Sequence, residues 1–131
     1  MQVVAPIDIE DSLRIDIAAN LSGVRVFAPP IPPDLSSGDV LITSVGGGRI
    51  AGASSEYDVS IDCYAPTEAA AVLLANEVSG VLVSLPIRAT STQYNAATAG
   101  TPYQNNDPRA PQLARRTFRA SVICPGDRLT F

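Results

Sequence analysis

The residues from Glu56 to Tyr64 alternate between apolar and polar side chains, which is the pattern of a half-buried β-strand. The two faces hold Tyr57, Val59, Ile61 and Cys63 on one side and Asp58, Ser60 and Asp62 on the other. A helix is predicted directly after this strand. Thr67 can cap free backbone N–H groups at its start, and Glu68 lies where the helix dipole favours negative charge. Apolar positions follow at Ala71, Leu74, Ala75, Val78, Val81, Leu82 and Leu85. We therefore expect a strand that leads directly into an amphipathic helix packed against a sheet.

A first amphipathic helix is predicted near the start of the chain. Asp8 can cap it, Glu10 and Asp11 fall in its first turn, and Gly23 offers a C-terminal stop. Its apolar residues recur every fourth position, at Ile9, Leu13, Ile17 and Leu21. Segment 24–28 then reads as a short strand, which the following prolines end because proline cannot donate to a sheet ladder.

A hairpin is predicted between Asp39 and Tyr64. The segment 39–45 reads as a mostly apolar strand, and Gly46-Gly47-Gly48 is expected to turn the chain back toward the strand at Glu56. With Arg49 after them, these glycines resemble a phosphate-binding loop, but the second Gly and the Lys of that motif are missing and no helix follows. A hairpin turn explains the glycines better.

The last clear element is a strand over residues 115–124. Its two faces hold Phe118, Ala120, Val122 and Cys124 on one side and Arg115, Thr117, Arg119 and Ser121 on the other. The outward Arg115 and Arg119 suit Asp58 and Asp62 of the earlier strand as cross-strand pairs.

The segment 89–111 is polar and rich in turn-forming residues. A connection of this length is uncommon inside a compact domain, so we expect a long loop or a hairpin arm. The segments 93–97 and 101–104 are candidates for the two short strands of such a hairpin. Tyr94 and Tyr103 make the arm a candidate interface, because tyrosine combines a large apolar ring with a hydroxyl group.

These elements predict one α+β domain over residues 1–131, with a mainly antiparallel β-sheet and two α-helices packed on one face. The expected core between helices and sheet consists of Ile9, Leu13, Ile17, Tyr57, Val59, Ile61, Leu74, Val78, Val81, Phe118 and Val122.

Charge and cysteine usage limit the class of protein. The net charge of -4 argues against nonspecific binding to nucleic acid or to an anionic membrane. We expect no segment to approach the roughly 20 apolar residues that span a bilayer, and the first residues lack a basic targeting pattern. Cys63 and Cys124 lie in apolar strands, where buried free thiols in a reducing cytoplasm are expected.

Residues for enzyme chemistry are scarce, so we expect a protein that is not an enzyme. The chain has no His and no Lys to activate a Ser or Cys nucleophile, and two Cys without His do not suit zinc. The acidic residues Asp8, Glu10 and Asp11 are better explained as helix capping. We therefore expect no catalytic residues, no cofactor and no metal.

Charge is unevenly distributed along the chain. Residues 1–68 carry ten acids and three Arg, a balance of 3 - 10 = -7, whereas residues 69–131 carry three acids and six Arg, a balance of 6 - 3 = +3. Two interpretations stay open: head-to-tail contacts between copies, or cancellation within one subunit. Candidate interface residues are Tyr94, Tyr103, Arg109, Arg115, Arg116 and Arg119.

Taken together, the strand 57–64, the helix start at 65–71, and the turn at 106–109 before strand 116–122 resemble tail terminator proteins of long-tailed bacteriophages, which are also called tail completion or minor tail proteins. The early amphipathic helix fits the same order of elements. The resemblance implies helices on one face of a sheet, a hexameric ring and no active site.

The resemblance also implies a role in the virion neck. The ring would cap the head-proximal end of the tail tube, end tube polymerisation and offer a joining surface to a head-side neck or connector protein. DNA would pass through without specific binding, no membrane would be involved, and assembly would take place in the host cytoplasm. Alternatives are a head-closure or head-tail connector protein, a non-catalytic binding module that uses segment 89–111, and a small cytosolic enzyme using carboxylates.

Overall fold

The computed structural model describes residues 2–50 and 53–130. Its elements are, in chain order, β1 (Gln2–Ala5), α1 (Ile9–Ala18), β2 (Arg25–Phe27), β3 (Asp39–Arg49), β4 (Ser54–Ala65), α2 (Glu68–Ser84), a 3₁₀ turn (Leu85–Ile87), β5 (Ala96–Ala99), β6 (Tyr103–Gln104), β7 (Ala114–Pro125) and β8 (Asp127–Thr130). The central sheet has the order β2-β3-β4-β7-β5, with β6 also paired to β7. Only β2 and β3 are parallel among the described pairs. The expected α+β fold is confirmed.

One hydrophobic core joins both helices to the same face of the central sheet, which we call the inner face. Ten of the eleven predicted core residues are buried, and Leu74 is the exception because it is only partly buried. The helix α2 contacts the sheet through a row of buried residues, Ala71, Ala75, Val78 and Leu82. Leu74 lies beside this buried row and is only partly covered by the core. Both cysteines are buried free thiols as expected, and burial raises the pKa of Cys124 to about 11.

The predicted helix starts are confirmed, but α1 ends earlier than expected. The Asp8 carboxylate accepts from the Asp11 backbone N–H, and the Thr67 hydroxyl accepts from the Ala70 N–H at 3.2 Å. The helix α1 ends at Ala18 and not at Leu21. Near its end the Asn20 side chain donates to a backbone carbonyl of α1 at 2.7 Å, and such side-chain bonds compete with helical hydrogen bonding.

The triple glycine does not form the hairpin turn, so that prediction is wrong. β3 runs through Gly46–Gly48, a bulge lies between Ser44 and Gly46, and the Ile50 N–H bonds the Ser54 carbonyl beyond the glycines. Gly47 has a φ of 126°, and a Cβ added there would lie 2.1 Å from the Glu56 carbonyl oxygen. The glycines therefore allow a close approach of two strand backbones.

We expect Gly47→Ala to lower the free energy of unfolding by about 1–3 kcal/mol, because the new Cβ meets backbone and φ is positive. Gly48→Ala is the matched control, since a Cβ there meets open space. Urea unfolding of both variants measures the difference. Equal losses of stability would contradict the close-approach explanation.

The two short strands of segment 89–111 do not pair with each other, so the internal hairpin is wrong. β5 and β6 both pair with β7. The Asn95 N–H bonds the Ile123 carbonyl at 2.8 Å, and the Gly100 N–H bonds the Arg119 carbonyl at 2.7 Å. The segment is a long connection whose strands extend the central sheet, because β7 offers them a free edge.

The helix α2 and the turn after it are more apolar than expected. Within Glu68–Ile87 an 18-residue window has a mean hydropathy of 1.7, and by length and composition alone this helix is long and apolar enough to cross a membrane. The expectation that no segment approaches this length is therefore wrong. One such helix is weak evidence for a membrane, since a core helix passes the same test, and α2 packs on β4 and β7.

Candidate interaction surface

The face of the central sheet opposite the helices, here called the outer face, is lined by polar side chains. The expected cross-strand pairing of Arg115 and Arg119 with Asp58 and Asp62 is wrong. The register places Thr117 opposite Asp62 and Ser121 opposite Asp58. Thr117 donates to Asp62 at 2.6 Å, and Ser121 donates to Asp58 at 2.5 Å. Arg115 stands opposite Tyr64, and Arg119 stands opposite Ser60. Strand periodicity gives the face of a residue but not its partner.

A buried carboxylate organises one end of the outer face. Asp107 accepts from the Tyr64 hydroxyl at 2.9 Å and from two nitrogens of Arg109 at 3.0 and 3.1 Å. Arg115 lies 3.4 Å from the same carboxylate. Hydrogen bonds from Arg109 hold the pKa of Asp107 down to about 2, with Tyr64 adding to this lowering.

The turn that presents Asp107 is held by its own amide side chains. Asn105 donates to Thr117 at 3.2 Å, and Asn106 accepts from the Arg115 backbone N–H at 3.2 Å. The Ala110 N–H bonds the Asp107 carbonyl at 3.0 Å, and Ala110 is buried. The turn was visible in the sequence as an Asn-Asp-Pro cluster. Its burial against β7 was not, because nothing local indicates where a turn packs.

The remaining arginine candidates differ in how they are engaged. Arg116 forms an ion pair with Glu68 at 3.3 Å and is mostly buried. Arg119 is exposed and forms no ion pair with any residue in the described ranges. Tyr103 is 48% exposed, and its register beside Thr117 places it on the outer face. Tyr103, Arg119 and Arg109, whose side chain is 58% exposed, are therefore the accessible residues among the sequence-predicted interface candidates on this face.

Tyr94 is a core residue and is not accessible as a surface anchor. Its hydroxyl donates to the buried Asp16 carboxylate at 2.6 Å, and Ser91 donates to the same carboxylate through its N–H and its hydroxyl, both at 2.8 Å. Burial raises the pKa of Tyr94, and the bond to Asp16 adds to this effect. These bonds fasten the start of segment 89–111 to α1. The sequence signal that we missed is an aspartate beside the apolar stripe of α1.

Ion pairs within the subunit leave the charge asymmetry largely in place. Of the six ion pairs in the described part of the chain, only that between Arg116 and Glu68 joins residues 1–68 to residues 69–131. The other five lie within one half. Direct pairing inside one subunit thus does not remove the asymmetry, and the interpretation as contacts between copies stays a prediction.

The carboxylates at the start of α1 are engaged in structure. Glu10 accepts from the Ser44 N–H at 2.8 Å, and Asp11 pairs with Arg14 at 2.6 Å. No three His, Cys, Asp or Glu side chains lie together as a metal site within residues 2–50 and 53–130. These contacts account for Glu10 and Asp11 as groups that hold the start of α1 in place.

Large aliphatic side chains are exposed along the side of α2 that faces away from the sheet. Leu73 is 66% exposed, and Val83 and Ile87 are also exposed. We call this surface the α2 stripe; it contains Ala69, Leu73, Glu77, Gly80, Val83 and Ile87, all exposed. A surface helix normally turns polar residues outward, so an exposed apolar stripe indicates a surface for another molecule.

A small cavity lies between the proline-rich segment and the turn after Asp107. It has a volume of about 200 Å³ and is lined by Ile31, Pro32, Pro33, Leu35, Arg109, Ala110 and Gln112. Pockets for drug-sized ligands are typically about 300–1,000 Å³. This cavity is therefore closer in size to a site for one or two side chains than to a substrate pocket.

The fold and these surfaces define an α+β protein with an apolar external helix stripe and a polar outer sheet face. The chain matches no protein-family model, and no curated protein shows significant similarity to it.

Proposed function

We propose that this protein is a structural component of a bacteriophage neck, forming a ring that caps the head-proximal end of the tail tube. The observation that carries the proposal is the α2 stripe, where large aliphatic residues such as Leu73 and Ile87 lie in water. Such a surface suits a subunit that is incomplete until it assembles. The resemblance of the strand, helix and turn patterns to tail terminators, together with a compatible α+β fold, supports the choice of assembly.

The proposed mechanism is geometric. Copies associate head to tail into a hexameric ring, because a heterologous contact closes when the rotation between copies permits it. One face of the ring is complementary to the last ring of tail tube protein, and the other face is not, so polymerisation ends. That second face joins a head-side neck or connector protein. DNA passes through without specific binding, no membrane is involved, and the ring is assembled in the host cytoplasm and retained in the virion.

The test combines the solution mass of the protein with an assay of tube growth. We expect the purified protein to sediment as a ring, and substoichiometric amounts added to polymerising cognate tube protein to shorten the tubes seen by electron microscopy. Tubes of unchanged length would overturn the proposal. Arrest of head filling, with no effect on tubes, would indicate a head-closure protein instead.

Arg119→Glu tests whether charge guides the ring. Arg109 and Arg116 pair with acids of their own subunit, so reversing them would alter the fold as well as any interface. Arg119 is exposed, and we expect its reversal to weaken assembly more than Arg14→Glu does. Charge attraction is screened over about 8–10 Å at moderate salt, whereas apolar contacts resist salt, so partial dissociation at high salt is expected. Sedimentation of both variants across a salt series measures this, and equal behaviour would refute charge guidance.

A further inference from the structure

The α2 stripe is apolar except for one charged residue, Glu77. Leu73, Glu77 and Gly80 are spaced so that they share one side of the helix, and Ile87, 90% exposed, extends that side past the helix end. Glu77 forms no ion pair with any residue of the described ranges. The stripe therefore presents aliphatic side chains next to one unneutralised carboxylate.

The cavity beside the proline-rich segment has complementary chemistry. Ile31, Leu35 and the prolines form apolar walls, and Arg109 stands at the lining with its side chain 58% exposed. Arg109 and Arg115 share the carboxylate of Asp107, and Asp62 also acts on Arg109, so these four charges balance and the Arg109 guanidinium is the positive group that reaches solvent. An aliphatic side chain accompanied by a carboxylate fits such a site by shape and by charge.

The stripe and the cavity lie on opposite sides of the sheet. α2 packs against the inner face, together with Cys63 of β4. Tyr64, the next residue of β4, points to the outer face, where its hydroxyl bonds Asp107, which in turn holds Arg109 at the cavity. One molecule therefore cannot bring its own stripe to its own cavity, but two copies can associate head to tail.

We propose that the α2 stripe of one copy docks on the cavity beside the proline-rich segment of the next copy, with Leu73 entering the apolar walls and Glu77 facing Arg109. This inference rests on the proposed function, because it specifies the contact between copies in the ring. A patch that fits a pocket elsewhere on the same molecule makes a heterologous contact, which generates either closed rings or open filaments.

The test uses a pair of complementary variants of the full chain. Leu73→Glu removes the inserted side chain and leaves the cavity intact, while Ile31→Glu blocks the cavity and leaves the stripe intact. We expect each variant alone to need at least about tenfold more protein to associate, since a central aliphatic anchor often dominates an interface. A mixture of the two has one intact contact, so it should give dimers by sedimentation but no rings. Ile15→Glu is the matched control, because Ile15 is an exposed isoleucine outside both surfaces.

Neutral substitutions test the same contact without changing an apolar residue and without placing an acid beside Asp107. Glu77→Gln and Arg109→Gln should each weaken association, and the double variant should associate no more weakly than the weaker single variant. Unfolding curves of every variant establish that each one folds. Additive losses in the double variant, with all variants folded, would remove the Glu77–Arg109 contact from the proposal.

Other outcomes separate this inference from the function. Normal rings with Ile31→Glu would overturn the docking site while leaving a ring-forming neck protein intact. Dimers in the mixture, with no effect of wild-type protein on tube growth, would support the contact and overturn the function. Wild-type protein that stays monomeric and floats with lipid vesicles would overturn the inference, because the stripe would then bind a membrane.

Discussion

Leu82→Ala will lower the free energy of unfolding by about 2–5 kcal/mol. Leu82 is fully buried on α2. Its truncation removes apolar atoms whose burial stabilises the fold, and it leaves a cavity between the helix and the sheet. Urea unfolding followed by circular dichroism at neutral pH measures the change. The lost stability should appear as a shift of the midpoint with little change of slope.

Leu74→Ala is the matched control, since it makes the same substitution on the same helix. Leu74 is only partly buried, so its truncation should cost clearly less than that of Leu82. Leu73→Ala should cost least, because Leu73 is mostly exposed. If all three substitutions destabilised the protein equally, the face of α2 that contacts the sheet would be assigned incorrectly.

Asp107→Asn will destabilise the protein by about 3 kcal/mol at neutral pH. The substitution removes the negative charge that compensates Arg115, whose side chain is 13% exposed, and a buried ion pair that loses one partner leaves an uncompensated charge. Arg109 also loses its two bonds to the carboxylate, and solvent screens this second pair because the Arg109 side chain is 58% exposed. Asp11→Asn is the control, because Asp11 pairs with Arg14 at the surface and should cost at most about 1 kcal/mol.

The effect of Asp107 should depend on pH in a defined direction. Its folded pKa is about 2, below the ordinary 3.8, so the carboxylate contributes stability above pH 3.8 and loses it as the pH falls through 2. The difference between the ordinary and the folded pKa of Asp107 corresponds to about 2 kcal/mol in the free energy of unfolding. The stability gap between wild type and Asp107→Asn should therefore narrow between pH 4 and pH 2. A gap that stays constant over this range would show that the carboxylate charge is not what stabilises the turn.

Local patterns were sufficient for the elements that bury one face. The alternation around Val59 and Ile61, the cap at Thr67 and the apolar period of α2 act within a few residues, so each could be recognised without knowing the partner. Long-range choices were not predictable in this way. The register between β4 and β7 put Thr117 and not an arginine opposite Asp62, although both alternatives satisfy the same alternation.

The candidate surface was predictable only in part. Arginine and tyrosine could be named as candidate interface residues from their types. Tyr94, however, lies in the core, where its hydroxyl donates to Asp16. The triple glycine suited a turn by composition and became strand because Gly47 faces the Glu56 backbone at close range. The α2 stripe could not be recognised from the sequence, because α2 has apolar residues on its exposed side as well as on its buried side.

The amino-acid sequence by itself determined that this is an α+β domain in which two helices cover a mainly antiparallel sheet, because the period of the apolar residues distinguishes helix from strand. The tertiary structure alone decided which strands pair, where Tyr64 meets Asp107, and which apolar residues stay in solvent. Those outcomes depend on contacts between residues tens of positions apart, and no local pattern specifies their relative placement.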